Sequence, residues 1–82
     1  MSEQINDLVV SIKSTDVQVQ EMTLKIKGLY ETIQEKFTES KNIRTKEIDQ
    51  FYKDIDSTFN AKSKLEASVV NMKKQILNIL LG

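Results

Sequence analysis

Few side chains in this 82-residue sequence are spaced to do chemistry. Glu31, Glu35 and Glu39 recur every four residues, which on a helix makes a ridge of carboxylates. Inward carboxylates hold di-iron centres in helical bundles, but those centres also take Glu-x-x-His pairs. The sequence contains no His and no Cys. The ridge therefore reads as a solvated face, and zinc, thiol and imidazole chemistry are excluded with it. Asp54 and Asp56 are two residues apart, so on a helix they diverge and make no catalytic dyad. The hydroxyls have no imidazole to activate them, and the lysines have no glycine-rich phosphate loop. Lys62, Lys64, Lys73 and Lys74 could touch phosphate or anionic lipid, but ordinary surface charge accounts for them, some of it paired at helical spacing as in Glu21–Lys25 and Asp49–Lys53. No enzyme, cofactor, metal or small-molecule substrate is expected.

With chemistry set aside, the elements carry the information. Pro is absent and the only glycines are Gly28 and Gly82, so helix breakers are scarce. From Ile5, apolar residues alternate spacings of three and four. Position a of a heptad falls on Ile5, Ile12, Val19, Ile26 and Ile33, and position d on Leu8, Thr15, Met22, Leu29 and Lys36. The pattern holds for about four heptads and predicts a long helix. A rival strand reading exists in Met22–Gly28, which alternates strictly, but it covers only seven residues. A second track places Ile48, Ile55, Lys62, Val69 and Ile76 at a, and Phe51, Thr58, Leu65, Met72 and Ile79 at d. The two tracks are out of phase, and the polar stretch Thr38–Thr45 lies between them. Asn42 suits a left-handed helix end, while Ser40, Asn42 or Thr45 suits the cap of the next helix. The expected fold is all-α: one domain, residues 1–82, with helices over 3–38 and 45–80 and a turn over 39–44. A continuous rod with a local phase adjustment is the competitor. Charge favours the hairpin. Lys and Arg total 12, as do Asp and Glu, so the net charge is zero. It is distributed as −2 over residues 1–42 and +2 over residues 43–82, and opposite charges meet if the halves fold together.

Two helices of this length make one seam and a thin core, which usually needs a staple or a partner. Position e adds Val9, Tyr30, Phe37, Tyr52, Phe59 and Leu80, giving an a/d/e face that suits a bundle of three or four helices. Val10, Val17 and Leu24 recur at position f, on the far side of the first helix. Val70 and Leu77 fall at b in the second helix, and Leu81 at f. In a hairpin these extra stripes gather at the open end, which becomes apolar on several sides while the turn end stays polar. The expected partner interface is Val10, Val17, Leu24, Val70, Leu77, Leu80 and Leu81. It would serve another helical protein or a second copy in a homo- or hetero-oligomer. Thr15, Thr58 and Lys62 interrupt the seams, either to fix register or because the seam meets solvent there.

A neutral chain lacks the electrostatic footprint of a nucleic-acid binder. Its apolar runs are too short to span a bilayer. The segment Val69–Leu81 has an alternative reading as an interfacial membrane helix, but its apolar residues match the seam, which favours helix–helix packing. The acidic start, with Glu3 and Asp7, is unlike a cleaved signal. A cytoplasmic location is expected, with export independent of a cleaved signal as the alternative.

Tyr52-Lys53-Asp54-Ile55-Asp56 matches the Tyr-x-x-x-Asp export pattern of type VII secretion. With the hairpin architecture, it makes the chain resemble the small helical proteins of that system: the Trp-Xaa-Gly (ESX-like) hairpins and the partners that stack beside the N-terminal helical domain of LXG toxins. No Trp-Xaa-Gly occurs here, and the turn reads Ser40-Lys41-Asn42. The resemblance implies a partner or targeting subunit for a secreted effector, with Tyr52 and Asp56 as its export motif. The chain is also similar to type III secretion needle subunits, through Met72-Lys73 followed by Ile79-Leu80, and to phage coiled-coil adaptors. That likeness implies a self-assembling structural subunit.

Overall fold

The computed structural model describes residues 2–39 and 45–82. Helix α1 spans Ser2–Glu39 and helix α2 spans Thr45–Leu81. The helices run one residue beyond the expected bounds at Ser2, Glu39 and Leu81. Glu39, expected in the turn, closes α1. The capping and turn roles expected of Ser40, Lys41 and Asn42 lie outside the described residues. Met22–Gly28 is helical throughout, so the long period prevails over the short alternation.

The sequence explains why both elements are continuous. Neither contains Pro, and four of the helix-averse threonines are satisfied locally. The hydroxyls of Thr23, Thr32, Thr38 and Thr58 donate to the carbonyls of Val19, Gly28, Gln34 and Asp54, at 2.7–3.0 Å. Each bond reaches back one turn and leaves the backbone ladder intact. Glu3 and Glu47 lie in the first turns of α1 and α2, where the helix dipole favours negative charge. Lys36 lies in the last turn of α1, where it favours positive charge. At the other end of α2, the Gly82 amide donates to Asn78 at 2.9 Å and completes the final turn.

The molecule measures 61 × 14 × 13 Å. A rod of this chain would be about 120 Å long at 1.5 Å per residue, so the helices fold back on each other as an antiparallel hairpin. The pairing is visible near both ends. Ile26 and Ile33 of α1 form a buried cluster with Ile55 of α2, flanked by Leu29 and Phe51. At the open end, Gln4, Asp7 and Leu8 share a shallow hollow with Gln75, Asn78 and Ile79.

Burial follows the heptad closely. Every a and d residue from Ile5 to Lys36 and from Ile48 to Ile79 is buried or half-buried. Among the other described side chains only Thr32 and Asp54 share that status. The core is thin: only Ile26, Ile33, Ile55, Val69 and Thr58 are buried among the described residues. Thr58 is 4% exposed, so it does not mark a place where the seam meets solvent. Its hydroxyl is bonded to its own helix, at the carbonyl of Asp54. Thr15 and Lys62 are half-buried. Lys36, the polar d residue of α1, lays its ammonium 6.0 Å from the centre of the Phe51 ring. Its stem lines the seam while its charge stays over an aromatic face.

Candidate interaction surface

Glu31, Glu35 and Glu39 line a shallow hollow with Gln34 and Thr38, all on α1 and open to solvent. No group of acidic residues that could hold a metal ion occurs among the described residues. Asp54 and Asp56 also separate. Asp54 is half-buried and accepts a hydrogen bond from the Gln50 amide at 3.1 Å, whereas Asp56 is exposed. No helix is long and apolar enough to cross a membrane among the described residues.

What the surface does carry is apolar area. All seven residues expected at the partner interface are exposed: Val10, Val17, Leu24, Val70, Leu77, Leu80 and Leu81, with Val17 at 54% and Leu24 at 67%. The hairpin divides them. Position f is almost diametrically opposite the a/d seam, so Val10, Val17 and Leu24 form a stripe along the back of α1. Positions e and b lie on the flank next to a, so Leu80, Val70 and Leu77 belong to the side of the hairpin. Leu81 caps the C-terminal end and is 85% exposed.

The residues at e, expected to serve a bundle of more than two helices, lie outside the hairpin's own seam. Within the hairpin they do not widen the core. Val9, Tyr30, Phe37, Tyr52, Phe59 and Leu80 all remain exposed, and the four aromatics are each between 43% and 49% exposed. The half of the molecule near the turn is therefore not polar on every side. Antiparallel pairing sets the e positions of both helices along one flank and the g positions along the other. The g flank reads Ser11, Gln18, Lys25 and Thr32 on α1, then Glu47, Asp54, Ala61, Ser68 and Gln75 on α2. One flank thus carries the aromatic and aliphatic residues, interrupted by Asp16, Thr23, Glu66 and Lys73, and the other is polar apart from Ala61. The heptad letters contained this asymmetry, but it emerges only once the direction of the second helix is fixed.

Tyr52 and Asp56 are both exposed and one turn apart, so their side chains lie on the same face. Tyr52 is not absorbed into the seam, and its exposure leaves it accessible for recognition.

No family model, no curated protein and no solved structure matches this chain.

Proposed function

We propose that this chain is a non-enzymatic helical interaction module, and specifically a partner or targeting subunit for a type VII secreted effector. The observation that carries the reading is the exposed Val10–Val17–Leu24 stripe. Three aliphatic side chains at seven-residue spacing, on the face farthest from the hairpin's own seam, match the repeat by which one helix packs against another. The exposed Tyr52–Asp56 pair supports the secretion assignment, because an export signal must be reachable.

The test is co-expression with the N-terminal helical domain of an LXG toxin. A stoichiometric complex is expected, and Val17→Glu together with Leu24→Glu should abolish it. Tyr52→Ala should leave the complex intact and stop its export. A chain that never associates with such a domain, or a complex indifferent to the double substitution, overturns the reading.

A further inference from the structure

We propose that the e/b flank of the hairpin binds a second copy of this chain, forming a closed two-fold dimer with both turns at the same end. This goes beyond the effector-partner reading, because it concerns the chain alone and a different face of it.

The flank fits that occupant in four respects. The first is area. A face about as long and wide as the hairpin offers roughly 800 Å² per copy, which is the size of a standard stable interface. The second is composition. Val9, Tyr30, Phe37, Tyr52, Phe59 and Leu80 all lie on it and are exposed, and Val70 and Leu77 extend it at b. A lone two-helix hairpin has too little core, and pairing through this flank makes a four-helix bundle of it. The third is distribution. The apolar residues form two patches, an aromatic one near the turn and an aliphatic one at the open end. Between them the e track turns polar at Asp16, Thr23, Glu66 and Lys73. With both turns at one end, each patch meets its own copy. With the turns opposed, Tyr52 and Phe59 would face the partner's charged middle.

The fourth is charge. On this flank α1 presents Lys13 and Lys27 at b, while α2 presents Asp49 and Asp56. A two-fold axis along the hairpin places α1 of one copy over α2 of the other, running antiparallel. Lys27 then lies at the height of the partner copy's Asp56, and the pair occurs twice by symmetry. The net charge of zero adds no repulsion between copies. The back stripe of α1 stays on the outer surface of this bundle, so the dimer leaves it free. Pairing does cover Tyr52, so the homodimer and recognition of Tyr52 by an export machine are mutually exclusive states.

Light scattering of the purified chain across a concentration series tests the proposal. The expected mass is twice the 9.4 kDa of the chain. Phe59→Glu should reduce it to one chain, and Ser57→Lys, on the polar side, should not. Charge exchange supplies a second arm that does not depend on the fold tolerating Phe59→Glu. Lys27→Glu and Asp56→Lys should each weaken self-association several-fold, and the two together should restore it. Spin labels on Glu39 of both copies should lie well under half of the 61 Å molecular length apart. A folded chain that stays monomeric throughout the series, open-ended filaments, unchanged mass in Phe59→Glu, failure of the exchange to restore pairing, or labels separated by nearly the full length would each overturn it.

Discussion

Gly28 occupies the middle of α1, on the polar side of the hairpin, where nothing requires a glycine. Its φ is not positive, and a Cβ built there meets no atom within 4 Å. Glycine in a helix interior costs about 1 kcal/mol relative to alanine, mainly through the freedom it loses on folding. Gly28→Ala is therefore expected to stabilise the hairpin by about 1 kcal/mol and to raise Tm by roughly 4–8 °C, the scale set by a domain of this size. Thermal melting followed by circular dichroism checks this, and an unchanged or lower Tm would mean that the position is used for a close approach the isolated hairpin does not show. Thr58 illustrates the opposite case. It looks like an error in the seam, yet its hydroxyl is satisfied at 2.7 Å by Asp54, and no buried side-chain polar atom lacks a partner among the described residues.

At the scale of the element, each helix presents one apolar face for packing. In proteins most helical stability comes from packing such a face, and here it is one row of a and d residues. Ile55 is the most buried of them, at 2%, and it sits against Ile26 and Ile33 of the opposite helix. Truncating such a residue costs about 2–5 kcal/mol through lost transfer energy and the cavity left behind. Ile55→Ala should therefore remove most of the helical signal from α1 as well as α2 at room temperature. Residue-resolved hydrogen exchange would show both helices losing protection together. Protection retained in α1 alone would show that the seam does not couple the two.

At the scale of the whole molecule, the decisive quantity is the 61 Å length. Spin labels at Asp7 and Gln75, which line the same hollow at the open end, should report a short distance within one chain. A continuous rod would separate them by about 100 Å at 1.5 Å per residue. Labelled chain diluted with unlabelled chain keeps this measurement within one molecule. The same length decides how much surface is left over. Folding in half buries the a/d rows once and leaves the e flank and the back of α1 exposed, so the hairpin presents two separate apolar surfaces.

Much of this was legible in the sequence because a helix seam is a periodic object. The three-and-four spacing from Ile5 to Ile33 and from Ile48 to Ile79 states which residues are buried, and every one of them is buried or half-buried. The lack of His, Cys and Pro likewise limits the chemistry and favours unbroken helices without reference to any fold. Periodicity along one chain says nothing about the direction of the neighbouring helix, however. The e residues Tyr30, Phe37, Tyr52 and Phe59 look like core in a one-helix reading, because e adjoins a. Only the antiparallel return of α2 puts them together on one flank, beyond the reach of a two-helix seam, and separates them from Val10, Val17 and Leu24 on the back of α1. The sequence by itself determined what each helix must bury. The tertiary structure decided what two helices are too few to cover.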